Sequence, residues 1–221
     1  MKRILIVDGG PRRNMNTAAL CEAFAEGANE TSSEIQVQRT RLYDLPPFRG
    51  CVSCLACKLR GRENGICAVR DSLHDTLHAV NEADGFALAS PIYFSEWTAV
   101  TRAFLERLVF PWLHYTDFSC DASKKMPVAF IYSMNAPEAM MSDIRKHLAI
   151  FEGALARALG DSEPVFVEAH TTIQTNDYSR YAMEGLDPAA RLAWHDAHWN
   201  DDLAIARTAG RRMAEKALVN A

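Results

Sequence analysis

The 221-residue sequence is first informative for what is missing from it. No apolar run approaches the roughly 20 residues needed to cross a bilayer. The opening Met1-Lys2-Arg3-Ile4-Leu5-Ile6-Val7-Asp8 holds an apolar run too short for a secretory signal. Both absences predict a cytoplasmic protein with no membrane partner. Positive charge is not in excess: 24 Lys and Arg face 28 Asp and Glu, a net charge of −4. A weakly acidic chain has no global field to attract phosphate backbones, which argues against a nucleic-acid partner. Hydrophobic residues reach 48% and charged residues 24%, so the composition is not that of a disordered chain. There is no internal repeat, no low-complexity linker, no P-loop Gly-Lys-Ser/Thr and no Gly-x-Gly-x-x-Gly. No Ser-His-Asp set can be assembled. At about one and a half times the usual domain length, residues 1–221 are expected to form one compact domain with insertions.

Strand and helix patterns alternate along the chain. Residues 2–8 are apolar and branched without clean alternation, as in a strand buried on both faces. Helical spacing follows from Thr17 to Asn29, with Leu20, Cys21, Phe24 and Ala28 on one face. Residues 34–42 alternate like an edge strand. A helix is predicted over 71–83 with Asp71 as its N-cap, then a buried strand over 85–90. A third helix spans 98–109 and is stopped by Pro111. Strands follow at 127–133 and 164–169. Between them, a helix over 138–159 packs through Met140, Met141, Ile144, Leu148, Phe151 and Leu155 and ends at Gly160. The last helix spans 188–218. Each parallel pair needs a crossover, so the pattern predicts a five-stranded parallel sheet covered on both faces, in the order 2-1-3-4-5. Two stretches interrupt it, a Pro-, Gly- and Cys-rich insertion at 43–70 and an irregular segment at 170–186.

Ligands in such sheets lie beyond the carboxyl ends of the strands, where strand order reverses. The loop Gly9-Gly10-Pro11-Arg12-Arg13-Asn14-Met15-Asn16-Thr17 leads from the first strand into a helix N-terminus, which favours an anion. Gly9 and Gly10 permit close backbone approach, and Arg12, Asn16 and Thr17 add donors suited to a phosphate. A polar connection capped by Asn or Thr is the plainer alternative. Ser90-Pro91-Ile92-Tyr93-Phe94-Ser95-Glu96-Trp97 places aromatic rings beside that loop, which suits a flat heterocycle such as flavin. Core aromatics plus a helix cap would look the same.

Four of the six cysteines crowd into Cys51-x2-Cys54-x2-Cys57-x9-Cys67. Disulfides do not persist in a reducing cytosol, so the crowding points to a metal site or redox chemistry. Three cysteines at this spacing can wrap one face of a cubane and the fourth can close it. Free structural or redox thiols and a four-cysteine zinc remain open alternatives. Lys58, Arg60 and Arg62 could offset a cluster's negative charge. Cys21 reads as core, and Cys120 has no assigned role. His74 and His78, four apart on a helix, lack an evident third ligand and read as surface residues. Trp194, His195, His198 and Trp199 read as core or interface, and Arg211-Arg212 as a solvated helix face.

Taken together, these stretches make the sequence recognisable. Residues 9–17 resemble the Gly-Ser-Pro-Arg-x-x-x-Asn-Thr phosphate loop of the NADPH-dependent FMN reductase group of flavodoxin-like proteins. Ser90 to Ser95, followed by Phe104-Leu105-Glu106-Arg107, resembles that group's flavin loop and next helix. The cysteines and Asp71 resemble its iron–sulfur flavoprotein branch, and Asp177-Tyr178-Ser179-Arg180-Tyr181 with the closing helix resembles a C-terminal extension, here 170–221. Gly10 stands where Ser is usual, the last cysteine gap is longer, and Ala68 replaces the Pro that follows in ferredoxins.

The resemblance implies a flavodoxin-like three-layer sandwich binding FMN without a covalent link. Arg12, Asn16 and Thr17, with backbone at Gly10 and Pro11, would hold the phosphate. Pro91, Ile92, Tyr93, Phe94 and Ser95 would line the isoalloxazine, and Met134 and Asn135 would touch its far side. It further implies NAD(P)H as electron donor and a small-molecule or protein acceptor. A [4Fe–4S] cluster on Cys51, Cys54, Cys57 and Cys67 would lie near the flavin. A homodimer or homotetramer with FMN near a subunit interface is also implied. No side chain need act as acid or base.

Overall fold

A computed structural model describes residues 1–61, 65–183 and 185–219. The chain alternates β1 (Lys2–Asp8), α1 (Asn16–Thr31), β2 (Ile35–Arg41), α2 (His74–Glu82), β3 (Gly85–Tyr93), β4 (Glu96–Trp97), α3 (Ala99–Val109), β5 (Val128–Ser133), α4 (Met141–Ala158), β6 (Val165–Ala169) and α5 (Pro188–Val219). The five long strands are parallel in the order β2-β1-β3-β5-β6, which is the predicted 2-1-3-4-5. The extra strand β4 is a two-residue return that pairs antiparallel with the end of β3.

Side chains alternate across a strand, so each strand feeds two cores. Leu5 and Val7 of β1 face one layer with Phe86, Leu88, Phe130 and Tyr132, covered by α2, α3 and α4. Ile4 and Ile6 face the other with Ala87, Ala89 and Ile131, covered by α1 and α5. Ile4 to Val7 are fully buried, and each such side chain contributes about 1.5–3 kcal/mol. The small residues Ala87, Ala89 and Ala129 let α1 and α5 sit close to the sheet. The two helices also approach one another closely. A Cβ at Gly27 would fall 1.9 Å from the Arg207 carbonyl oxygen, and one at Gly210 would fall 2.0 Å from that of Phe24.

Several boundaries differ from expectation. β3 continues past Ser90 through Pro91 to Tyr93. Pairing with β1 ends at Ala89, so Pro91 has no neighbour on that side that needs its missing N–H. Asp71 is not the N-cap of α2, which begins at His74 after Leu73. Asp71 instead accepts the Leu73 N–H at 3.1 Å and turns its carboxylate to Arg107. Met140 is exposed, because residues 138–140 form a separate 3-10 turn that rotates it off the buried face of α4. Cys21 is fully buried; burial and the neighbouring Asp8 carboxylate push its thiol well above the ordinary range. Among the described residues, no helix is long and apolar enough to cross a membrane.

Candidate functional site

The loop between β1 and α1 is shaped from behind by a buried carboxylate. Asp8 ends β1 fully buried and accepts the Gly10 N–H at 2.7 Å through Oδ1. Its Oδ2 takes Arg39 Nη2 at 2.6 Å and Arg41 Nη1 at 3.0 Å from β2, and Arg41 also donates to the Gly10 carbonyl at 3.3 Å. The other side is set by α3. Thr98 Oγ1 donates to the Gly9 carbonyl at 2.9 Å, and a Cβ at Gly9 would lie 1.7 Å from Thr101 Oγ1. Glycine at position 9 is therefore a packing requirement.

The loop opens onto a cleft at the carboxyl ends of β1, β3 and β5. Gly10, Pro11, Arg12, Asn16 and Thr17 line one wall, Pro91, Ile92 and Tyr93 a second, and Met134 and Asn135 a third. The structure thus brings together all the residues assigned from sequence except Phe94 and Ser95. Those two occupy the tip of the β3–β4 return with φ of 51° and 65°. Positive φ at both central residues is the geometry of a tight hairpin, and it leaves Phe94 fully exposed rather than in the cleft.

Sequence reasoning missed the remaining wall. Thr172, Ile173 and Gln174 follow β6 and close the cleft from the far side. Thr172 N–H donates to the Met134 carbonyl at 2.9 Å, and Asn16 Nδ2 donates to the Ile173 carbonyl at 2.8 Å. Arg12 donates to the Gln174 carbonyl. Nothing in Thr-Thr-Ile-Gln marks it as cleft wall. Arg39 and Arg41 could have been found, since two arginines at i, i+2 share one face of an edge strand beside an acidic strand end.

The donors here suit a phosphate monoester on a flat apolar group. Met15, at the N-cap of α1, gives no side-chain cap, and the first turn holds no acid. The N–H groups of a first turn have no partner inside the helix, and the dipole favours an anion there. Arg12 has five N–H groups, of which one is used on Gln174. Thr17 and Ser133 hydroxyls stand 2.7 Å apart and share one bond. The missing serine at position 10 has a structural cause: a Cβ there would approach Asp8 Oδ1 to 2.9 Å and Thr17 Cβ to 3.2 Å.

Residues 2–160 match the sequence pattern of the NADPH-dependent FMN reductase family, more than half of the chain. The chain belongs to that family. An iron–sulfur flavoprotein of Archaeoglobus fulgidus is 26% identical over 105 residues, 48% of each chain. One of Methanocaldococcus jannaschii is 29% identical over 105 residues, 48% of this chain and 51% of its own. The matched region spans about half the length of these curated relatives. An NAD(P)H:quinone oxidoreductase from Methanothermobacter marburgensis superposes with a TM-score of 0.68 at 16% identity, over 95% of this chain and 96% of its own. An FMN-dependent NADH-azoreductase from Bacillus anthracis, in complex with FMN, gives a TM-score of 0.63 at 16% identity, over 96% and 100%. At such identities the superpositions establish the flavodoxin-like fold.

The cysteine insertion lies along α3. Cys51, Cys54, Cys57 and Cys67 line one shallow pocket, together with Glu106, Arg107 and Phe110. Cys57 is buried, Cys67 half-buried, and Cys51 and Cys54 exposed. Burial pushes the Cys57 thiol up. The expected position beside the flavin cleft is not direct: the cysteine pocket and the cleft have no lining residue in common. α3 connects them, with Thr98 against the cleft loop and Arg107 at the cysteines. Those positions are separated by a helical rise of about 13 Å. Lys58 donates to the Pro111 carbonyl at 3.0 Å and to that of Leu113, so it ties the insertion down rather than facing solvent. Arg62 lies outside the described residues.

Two tests bear on what the cysteines hold. Among the described residues, no three His, Cys, Asp or Glu side chains are grouped to hold one metal ion. A lone zinc needs its sulfurs about 2.3 Å from one point, so this geometry disfavours it. Arg107 Nε is buried in this pocket with no hydrogen-bond partner, a donor left over for an anionic group.

Proposed function

We propose that this protein is an FMN-dependent oxidoreductase that takes electrons from NAD(P)H and passes them to a flavin, quinone or iron–sulfur acceptor. The observation that carries this reading is the cleft itself. An uncapped helix N-terminus, Arg12, Asn16 and Thr17 meet an apolar slot between Tyr93 and Met134. Bound FMN would accept two electrons as hydride and release them singly.

The chain's own part is binding and tuning. Gly10 to Thr17 hold the phosphate, and Asp8 with Arg39 and Arg41 keeps that loop in shape. Pro91, Ile92 and Tyr93 lay the ring against the end of β3. Met134 and Asn135 bound its far side, and the 172–174 segment excludes water. Tyr93 is half open to solvent, which leaves room for a donor at the mouth of the cleft. Among the described residues lining the cleft there is no Asp, Glu, His, Lys or Cys.

A second reading is an electron carrier with FMN and [4Fe–4S] and no direct NAD(P)H activity. It is favoured by the pocket shared by the four cysteines and by the named chemistry of the iron–sulfur flavoprotein relatives. The absorption spectrum of anaerobically purified protein, before and after NADH or NADPH, separates the two. Flavin bands bleached rapidly by either nucleotide support the reductase. Bleaching by reduced ferredoxin alone supports the carrier. A colourless protein that does not take up FMN at micromolar concentration rejects both.

The proposal treats residues 1–221 as one FMN-binding unit, supported by the common sheet and by α5 packing back on α1. A cytoplasmic setting is part of it, because there the thiols stay reduced. So is a homodimer or homotetramer. Its support is the start of α5, where Arg191 donates to the Asn135 carbonyl at 2.8 Å at the cleft rim while Trp194 stays half-exposed. Light scattering reads the assembly directly.

A further inference from the structure

Among the described residues, Arg107 is the most deeply buried arginine or lysine. Its residue is 2% exposed although it sits in the last turn of α3. Nη1 donates to the Arg49 carbonyl at 3.3 Å, two residues before Cys51. Nη2 donates to the Val69 carbonyl at 3.1 Å, two residues after Cys67. One guanidinium therefore joins the two ends of the cysteine insertion. Asp71 locks it from outside with two bonds, 2.7 Å to Nη1 and 2.9 Å to Nη2. The side chain also stands beside the Cys67 thiol, and its Nε is buried without a partner. The neighbouring Glu106 accepts the Cys51 N–H at 3.2 Å. A Cβ at Gly50 would lie 2.4 Å from that same carboxylate, so the chain passes close against it.

The remaining donor of Arg107, Nε, is buried in a pocket lined by four cysteines, on the side chain that stands beside the Cys67 thiol. Arginine suits the task because its planar fork serves several acceptors at once, which a lysine ammonium cannot do.

We propose that Arg107, locked by Asp71, is the positioning residue of the cysteine pocket, gathering both ends of the insertion and directing a fixed positive charge at the sulfurs. This rests on the reading of Cys51, Cys54, Cys57 and Cys67 as ligands of one iron–sulfur cluster. A fixed cation beside a cluster stabilises its reduced, more negative form. Arg107 thus raises the reduction potential, and Asp71 moderates the effect.

The test uses the full chain, purified anaerobically, with Arg107→Gln, Arg107→Lys and Asp71→Asn. Where the parent holds iron and sulfide, R107Q is expected to lower the cluster potential and D71N to raise it, read by redox titration of the visible spectrum. R107K is expected to retain less iron per chain, having charge without the fork. If R107Q loses its cluster altogether, the D71N shift still decides. An unchanged potential in D71N, or in an iron-replete R107Q, overturns the proposal. Where the parent holds no iron, the cluster reading fails separately, and limited proteolysis followed by mass spectrometry tests the clamp. The stretch from Arg49 to Val69 should then be cut at least about tenfold faster in R107Q than in the parent, and equal rates overturn the positioning role.

Discussion

Asp8 and Gly10 are coupled through one oxygen: Asp8 Oδ1 accepts the Gly10 N–H at 2.7 Å, and a side chain at position 10 would lie 2.9 Å from that same atom. The departure from serine at this position is thus matched by the carboxylate behind it. Gly10→Ser is expected to weaken FMN binding rather than add a hydroxyl contact. Asp8 cannot swing away without breaking its bonds to Arg39 and Arg41. Overpacking of this kind costs about 1–3 kcal/mol, and FMN fluorescence quenching with a thermal melt measures it. A G10S variant that binds FMN more tightly at unchanged stability would refute the coupling.

Thr17 and Ser133 tie the first turn of α1 to the end of β5 at 2.7 Å. Thr17→Val keeps the shape and removes the hydroxyl. A hydrogen bond to a charged group is worth about 1.5–3 kcal/mol, so FMN affinity should fall about tenfold to a hundredfold. The same titration with riboflavin, which lacks the phosphate, should show little change.

The α1–α5 crossing predicts a reversal of helix propensity. Alanine normally favours a helix over glycine by about 1 kcal/mol. At Gly27 and Gly210 the added methyl would meet backbone carbonyls at 1.9 and 2.0 Å, which cannot rotate away. Gly27→Ala and Gly210→Ala should each destabilise the fold by about 3 kcal/mol, read as a lower urea midpoint. A gain in stability would mean that the helices cross more loosely.

Asp202 on α5 has its pKa pushed up to about 6 by burial and by Asp201, against the opposing pull of His198. Below pH 3.8 it is protonated whether folded or unfolded. As pH rises past 6 the folded chain must carry a partly buried charge, and the stability it contributed is lost. Asp202→Asn should therefore raise Tm at pH 7–8, with the gain shrinking toward pH 4. A gain independent of pH would place its origin elsewhere.

Much of the cleft was legible because its residues are local to their loops. Gly10 to Thr17 follow one strand and Pro91 to Tyr93 another, so strand order alone brings them together. Phe94 was assigned by its aromatic character, but the left-handed tip of a two-residue return decides its direction, and composition does not encode that. Thr172 to Gln174 were invisible for a different reason. Their place depends on β6 ending beside β5 and on long-range bonds to Met134 and Asn16. Asp71 carries a signal for a helix cap, and the pairing with Arg107, 36 residues away, overrides it.

Periodicity, turn residues and motif spacing determined the layer order, the anion loop and the grouping of four cysteines, since each is a property of neighbouring residues. Only the folded chain decided which carboxylate braces the loop, which segment closes the cleft, and that one arginine joins both ends of the cysteine insertion. Those depend on contacts between segments far apart in the chain, where the energy of burying and pairing charges outweighs local preference.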